Sequence, residues 1–258
     1  MADSGANPHA NSGSRSNSVP GSASGARIDE ATRAPVVTVW SDVGCPWASL
    51  ALHTLHAAAD ERGQEVRIDH RAFPLELFNR RPTLKHIVEP EVIVIAARRP
   101  ELGWRIWSPP ESDYPSSTLL AMEAVQAAKT PVVGGLRASD ELDSALRHAF
   151  FADSRCISIV TEILDIATAC EYVDANALAE ALERGVGRAE VYEHWRTAAG
   201  AGVQGSPQLF AADGYAAHNP GADFEWTADQ NAGGLPRLDA YDSSWTQDLL
   251  DRLAGKPA

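Results

Sequence analysis

The sequence is poor in cysteine, has more acidic than basic residues, and contains no long apolar run. Its three cysteines among 258 residues exclude a small disulfide-stapled scaffold, which needs many cysteines in a short chain. The 22 Lys and Arg residues against 35 Asp and Glu residues leave a formal charge of −13. That balance argues against proteins that bind nucleic acid or anionic lipid through clustered positive charge. We therefore expect neither nucleic acid nor a membrane among the partners.

Two further absences concern targeting. The longest apolar run, residues 92–97, is far shorter than the roughly 18 to 20 residues that a membrane-spanning helix needs. The N-terminal segment, residues 1–34, lacks the apolar stretch of a secretory signal and is rich in Ser, Gly, Ala, Asn and Pro. Such a composition cannot bury enough apolar surface to fold, which predicts a disordered tail followed by a folded domain over residues 35–256. We expect the protein in the cytoplasm, where thiols stay mostly reduced.

The folded part opens with a pattern typical of a strand–helix–strand unit. Residues 35–41 are mostly β-branched or aromatic and predict a short buried strand. From Pro46 the apolar residues recur at three- and four-residue steps, which predicts a helix with proline in its first turn. Residues 66–73 then alternate like a half-buried strand. A unit of this length predicts two parallel strands joined by a right-handed crossover.

The middle of the chain is mostly helical in pattern, and the strand pattern returns near its end. After Gly202 the sequence again favours a strand around a proline, and a final amphipathic helix is predicted over 245–254. The outline is an α/β sheet split by a helical insertion. The helices predicted inside the insertion cover 92–98, 116–128, 139–150, 154–170, 175–184 and 188–199.

Cys45 is the strongest candidate for chemistry because it lies where the first strand ends and the first helix begins. Backbone N–H groups and the positive end of the helix dipole are expected to point at its sulfur. Both favour thiolate over thiol and predict a pKa below the usual value of about 8.5. A thiolate attacks disulfides and electrophilic carbon. The alternative is a buried cysteine that serves only as a small apolar side chain.

The segment around this cysteine, Asp42-Val-Gly-Cys-Pro-Trp-Ala48, resembles the active-site segment of the DsbA-like thioredoxin superfamily, particularly its FrnE-type cytoplasmic branch. Two further segments agree in order and spacing. Residues 71–75, Arg-Ala-Phe-Pro-Leu, resemble the end of the family's second strand, and residues 202–207, Gly-Val-Gln-Gly-Ser-Pro, resemble its proline loop. The resemblance implies a thioredoxin-like α/β fold with an all-helical insertion at about 81–200.

The same resemblance implies the site. Cys45 is the implied nucleophile, while Pro46, Trp47, Ser206 and Pro207 are the implied substrate-contacting residues. The family's loop proline is cis and faces the catalytic cysteine, so Pro207 is expected to be cis and to turn the backbone of Ser206 toward Cys45. The Ser206 hydroxyl is then placed to donate to the Cys45 thiolate and favour its charged form.

The sequence departs from the family at Ala48, which occupies the place of the second cysteine. The remaining cysteines, Cys156 and Cys170, lie in a predicted helix and are expected to be core residues. Their spacing fits no zinc motif, so we expect no metal. With one active-site thiol, the implied enzyme is a thiol–disulfide oxidoreductase without a bound cofactor. Its expected partners are a disulfide-containing or electrophilic substrate and a small thiol co-substrate, such as glutathione or mycothiol, that resolves Cys45.

Two alternatives stay open at this point. The first is an enzyme resembling kappa-class glutathione transferases and 2-hydroxychromene-2-carboxylate isomerases, which share the fold but typically carry serine in place of Cys45. The second is a non-catalytic member of the superfamily that acts as a binding module. The sequence gives no indication of the oligomeric state.

Overall fold

A computed structural model of the chain describes residues 35–82 and 84–255, and it contains the predicted strand–helix–strand unit. Strand β1 (Val36–Ser41) leads through helix α1 (Pro46–Glu61) to strand β2 (Arg67–Ala72). β2 pairs in parallel with β1, in register over the full length of both strands. The connecting helix makes this possible because it carries the chain back to the end of the sheet at which β1 begins.

Helices dominate the stretch that follows β2. Their apolar faces enclose a core of their own, in which Leu142, Leu146 and Ile163 are completely buried. This is the packing expected of short amphipathic helices, which are stable because they bury one face. The helices are α2 (Leu75–Asn79), α3 (Lys85–Arg98), α4 (Leu119–Ala128), α5 (Gly135–Phe151), α6 (Val160–Thr168), α7 (Ala175–Glu183) and α8 (Arg188–Thr197).

The chain then returns to the sheet. Strands β3 (Gln208–Ala211) and β4 (Ala216–His218) complete a sheet with the order β2-β1-β3-β4. β3 runs antiparallel to β1 and β4 runs antiparallel to β3. A separate antiparallel hairpin, β5 (Ala222–Trp226) and β6 (Pro236–Tyr241), precedes the last helix, α9 (Trp245–Leu253). These elements establish the thioredoxin-like α/β fold with helices between its two halves.

The two faces of β1 are buried by different helices. Val37 and Val39 share a hydrophobic core with Leu55 of α1 and Leu249 of α9, and all four are fully buried. Trp40 points to the opposite face because side chains alternate along a strand, and its ring packs edge-on against His194 of α8. The sheet is therefore covered on both sides, which fixes the end of β1 where Cys45 follows.

Several predicted boundaries are wrong. Helix α3 begins at Lys85 rather than near 92, because Pro90 is accommodated inside the helix instead of ending it. Helix α6 begins at Val160 rather than at residue 154. Helix α5 begins at Gly135 rather than at residue 139, so Ser139 lies inside it, where its hydroxyl donates to the Val125 carbonyl at 2.8 Å. In each case a local start or stop signal gave way to packing between helices.

Two sequence predictions remain, one about the N-terminal tail and one about membrane-spanning helices. The predicted tail, residues 1–34, lies outside the described residues. Within the described part of the chain, no helix is both long enough and apolar enough to cross a membrane.

Candidate active site

Cys45 lies at the predicted junction, directly before the first turn of α1. Its backbone is extended, with φ −87° and ψ 115°, as the residue that precedes a helix requires, and Pro46 takes the first helical position. The turn out of β1 is closed by the Cys45 N–H, which donates to the Asp42 carbonyl at 3.1 Å. The Cys45 side chain is thus held at the start of the helix rather than in its interior.

The loop that precedes β3 brings Ser206 against Cys45. The Cys45 thiol donates to the Ser206 carbonyl, with 3.3 Å between sulfur and oxygen. The Ser206 hydroxyl oxygen accepts from the Asp42 N–H at 3.0 Å, so the same residue also fixes the turn that carries the cysteine. The Ser206–Pro207 peptide bond is cis, as the family resemblance implied. The Pro207 carbonyl is held in turn by the Asn219 N–H at 2.9 Å.

The predicted lowering of the Cys45 pKa is wrong. Cys45 is only 5% exposed, and burial raises the pKa of its thiol to about 11. The negative charge of Glu91 raises it further, whereas hydrogen bonds with the Ser206 side chain and the Ala48 backbone lower it by less. The helix start supplies hydrogen bonds to the sulfur, but they do not compensate for the loss of water around a buried thiolate. At neutral pH, Cys45 is therefore a protonated thiol.

A cavity of about 330 Å³ opens beside Cys45. Pro46, Trp47 and Ser206 line it, so the structure brings four of the five predicted site residues to one cavity. Pro207 does not line it and acts on the site through the Ser206 backbone. The remaining lining residues combine apolar and polar side chains, namely Gly44, Leu75, Asn79, Arg81, Pro82, Ile87, Glu91 and Gln230.

Trp47 forms one wall of this cavity and is itself held in place from two sides. Its ring stacks on Phe224 of β5, with ring centroids 3.9 Å apart and planes 17° apart. Its indole N–H donates to a carboxylate oxygen of Glu91 at 2.9 Å. Trp47 is only 4% exposed, so the orientation of its ring is fixed by packing as well as by the hydrogen bond.

Glu91 is the residue of this site that the sequence did not reveal. It lies on α3, is 8% exposed, and lines the same cavity as Cys45. Burial raises the pKa of its carboxyl group to about 7, and the Trp47 hydrogen bond lowers it by less. Two glutamates, Glu89 and Glu91, within an otherwise apolar stretch were the available signal. A mixed helix containing a proline gave no reason to place Glu91 beside Cys45.

A buried arginine on α5 donates hydrogen bonds to the turn that precedes Cys45. The Arg147 guanidinium donates to the Asp42 carbonyl at 3.0 Å, to the Ser41 hydroxyl at 2.9 Å and to the Ser49 hydroxyl at 3.0 Å. Its charge is balanced by Asp143, one helical turn earlier, at 2.6 Å. Because both partners are buried, this ion pair is part of the frame that positions the Cys45 turn.

Next to this pair, two histidines share one carboxylate. Asp140 accepts from His56 at 3.0 Å and from the buried His70 at 2.8 Å. His56 joins α1 to α5 through this contact. Burial alone would lower the pKa of His56, but the hydrogen bond and charge of Asp140 outweigh burial and raise it.

The other two cysteines lie away from Cys45. Cys156 and Cys170 pack against the helical core of the insertion, whereas Cys45 belongs to a separate cluster with Trp47 and Ala48. All three are free thiols. Among the residues that the structure describes, no group of His, Cys, Asp and Glu side chains is arranged to hold a metal ion. Cys156 and Cys170 are half-buried at the edge of this core, and the prediction that one helix contains both is wrong, because Cys156 precedes α6 and Cys170 follows it. Neither belongs to the cluster that contains Cys45.

Together, a thioredoxin-like sheet, a cysteine before α1 and a cis-proline loop opposite that cysteine define the class of protein. The family model for the DSBA-like thioredoxin domain matches residues 36–229. The chain belongs to this DsbA-like thioredoxin family. No curated protein matches the sequence.

Solved structures share the fold at low sequence identity. A probable DsbA oxidoreductase from Streptomyces coelicolor is 19% identical, with a TM-score of 0.59 over 87% of this chain and 92% of that chain. A putative protein disulfide isomerase from Nitrosomonas europaea is 12% identical, with a TM-score of 0.53 over 86% of this chain and 97% of that one. At such identities the likeness shows the fold alone.

Proposed function

We propose that the protein is a thiol–disulfide oxidoreductase of the cytoplasmic FrnE-type branch that acts through the single nucleophile Cys45. One observation carries the proposal: Cys45 faces the Ser206 carbonyl at the start of α1, while the fully buried Ala48 occupies the place of a second thiol. A nucleophile so placed can form a mixed disulfide but has no neighbouring cysteine to resolve it.

Cys45 then takes part in two exchange steps. In the first, the Cys45 thiol loses its proton and the sulfur attacks one sulfur of the substrate disulfide. A bond forms between Cys45 and that sulfur, and the other substrate sulfur leaves as a thiolate. In the second, a small thiol such as glutathione or mycothiol gives up its proton and attacks the mixed disulfide. Cys45 leaves as a thiolate and takes up a proton, and the small thiol ends in a disulfide with the substrate sulfur that Cys45 had bonded. A second molecule of the small thiol then releases that sulfur and forms the disulfide of the small thiol, so the two electrons gained by the substrate come from two molecules.

The high pKa of Cys45 is compatible with this role. The nucleophilicity of a thiolate rises with its pKa, so a thiolate formed from Cys45 is a strong nucleophile although little of it is present at neutral pH. The cavity beside Cys45 has polar side chains, Asn79, Arg81 and Gln230, that suit a hydrophilic small thiol or an extended peptide. The arrangement therefore supports a Cys45 thiolate that is scarce at neutral pH but attacks rapidly once it has formed.

The proposal is tested by turnover of a peptide–glutathione mixed disulfide with glutathione as reductant, followed through glutathione reductase and NADPH. We expect turnover by the wild type and none by Cys45→Ser. Cys170→Ser is the matched control, because burial also raises the pKa of Cys170 to about 11 although it lies in a different core. Retention of turnover by Cys45→Ser contradicts the proposal.

A second candidate function is favoured by the burial of Cys45. A thiol that stays protonated and donates to a backbone carbonyl suits a domain that binds an extended chain without reacting. The two functions differ in one result. If the protein is a binding module, its wild-type and Cys45→Ser forms bind peptides equally well, and neither form catalyses reduction of the mixed disulfide by glutathione.

A further inference from the structure

Cys45 and Glu91 are two buried acids that share one cavity. Cys45 lies before α1 and Glu91 lies on α3, and both line the space of about 330 Å³ in front of Trp47. Trp47 follows Cys45 by two residues and donates to Glu91 at 2.9 Å, which ties the carboxylate to the cysteine turn. Such a volume has room for several water molecules, each of which occupies about 30 Å³ in the liquid. A proton can therefore pass between the two acids inside the cavity.

We propose that Glu91 takes up the proton of Cys45 when the thiolate forms and returns a proton when the sulfur is released. The inference rests on the proposed thiol chemistry of Cys45 and adds a residue that this chemistry had not assigned. Glu91 is suited to the role because it is 8% exposed and because Trp47 is its hydrogen-bond partner. Burial destabilises the charged form of a carboxylate, so the charged and neutral forms of Glu91 are close in free energy.

The charged groups around the cavity decide how the two acids influence each other. Burial raises the pKa of Glu91 to about 7, and ionised Glu91 in turn raises the pKa of Cys45. Asp42 raises the pKa of Cys45 as well, though by less, and Glu91 contributes to raising the pKa of Tyr114. Arg81 is a basic residue that lines the cavity. Since Cys45 and Glu91 repel each other when both are charged, losing one proton makes loss of the other harder, and the pair titrates as a unit.

The proton balance of the two exchange steps follows. When Cys45 attacks the substrate disulfide, its proton moves to the Glu91 carboxylate, and the neutral carboxyl group no longer opposes the thiolate. The sulfur–sulfur bond to Cys45 forms, the substrate bond breaks, and the leaving thiolate takes the proton from Glu91 or from water. When the small thiol resolves the mixed disulfide, its proton passes to the released Cys45 sulfur by the same route in reverse.

Glu89, two residues away on the same helix, provides a matched control. Its carboxylate is already engaged, with the Lys85 ammonium at 2.8 Å and the Trp107 backbone N–H at 2.9 Å. It does not line the Cys45 cavity. Replacing Glu89 by glutamine removes the same charge from the same helix and leaves the acid beside Cys45 in place.

The test compares Glu91→Gln with Glu89→Gln in a Cys156→Ser/Cys170→Ser background, where Cys45 alone reports. The rate of alkylation by iodoacetamide is measured against pH, and turnover of the mixed disulfide is measured over the same range. We expect Glu91→Gln to lower the apparent pKa of Cys45 by about one unit, which makes alkylation about three- to fourfold faster near pH 8, because the roughly tenfold gain in thiolate is partly offset by its lower nucleophilicity. We also expect the turnover profile of Glu91→Gln to lose an inflection near the Glu91 pKa of about 7. Glu89→Gln keeps both wild-type profiles.

A second variant keeps the inference testable if Glu91→Gln fails to fold. Trp47→Phe leaves Glu91 in place but removes its hydrogen bond, which lowers the Glu91 pKa in the wild type. The inflection should therefore move to higher pH. Unchanged alkylation and turnover profiles in Glu91→Gln, or an unmoved inflection in Trp47→Phe, overturn the inference while Cys45 still reacts. Failure of Cys45 to react in every variant instead overturns the proposed function, and the inference with it.

Discussion

Replacing Ala48 by cysteine restores the second thiol that the family motif has and this chain lacks. Cys45 precedes the helix and Ala48 is its third residue, so the two side chains lie about one helical turn apart. Side chains three residues apart on a helix have Cβ atoms about 5 to 6 Å from each other, which local adjustment of the first turn brings to disulfide distance. The Ala48 N–H also donates a hydrogen bond to the Cys45 sulfur, so that sulfur lies close to residue 48.

The cost of the change follows from burial. Ala48 is 0% exposed and packs in one cluster with Ile95 and Leu238, so the new side chain must fit into a filled core. An added sulfur in a filled core costs about 1 to 3 kcal/mol in the reduced protein. Closing a disulfide across four residues recovers about 2 kcal/mol by restricting the unfolded chain. The reduced variant should therefore unfold at lower temperature than the wild type, and oxidation should reverse most of the loss.

Two measurements check this reasoning. Thermal unfolding of the oxidised and reduced Ala48→Cys protein gives the stability change, and insulin reduction by dithiothreitol gives the gain of dithiol activity. Ala51→Cys is the matched control, because Ala51 is also buried on α1 but is too far along the helix to pair with Cys45. Cys45→Ser in the Ala48→Cys background should remove the gain. If mild oxidation forms no disulfide between residues 45 and 48, the geometry assigned to the start of α1 is refuted.

Two further predictions concern the polar frame beneath the site. Arg147→Met should cost about 3 to 5 kcal/mol in urea unfolding because it removes the arginine partner of the buried Asp143, which keeps only the longer contact with His70 Nδ1 at 3.7 Å. The double variant Arg147→Met/Asp143→Leu should recover most of that loss. A loss below about 1 kcal/mol in the single variant would show that the Asp143 carboxylate becomes hydrated when Arg147 is removed. The folded-state pKa of His56 is raised by Asp140, so its stabilising contribution is complete below its unfolded pKa of about 6.5 and is lost as pH rises through the folded value. Urea midpoints on either side of that range should differ less in His56→Gln than in the wild type, and an equal difference in both would exclude this pair as the cause.

Local sequence patterns predicted the parts of the fold that depend on local physics. The alternation in β2 and the apolar spacing in α1 each specify one exposed and one buried face, so the strand–helix–strand unit and its parallel pairing were predictable. Hairpin β5–β6 was not predicted, because its glycine- and aspartate-rich surroundings indicate loops and its stability comes from contacts such as Trp47 on Phe224. Such contacts join residues far apart in the chain and leave no periodic signal.

The candidate site was likewise predictable only in part. The position of Cys45 at a helix start and its approach to Ser206 followed from the motif and the proline loop. The protonation of Cys45 did not follow, because it is decided by burial and by Glu91, and both depend on how α3 packs against α1. Three elements likewise meet at Asp140, and nothing in the separate segments indicated that His56 and His70 would share it.

Attack of Cys45 on a disulfide is tested most directly by trapping its product. The wild-type protein is exposed to less than one equivalent of glutathione disulfide at slightly alkaline pH, acidified to stop exchange, digested and mapped by mass spectrometry. We expect one glutathione per modified chain, attached to Cys45, and its release by added thiol. Attachment to Cys156 or Cys170 in preference to Cys45, or no adduct at all, would contradict the assignment of Cys45 as the nucleophile.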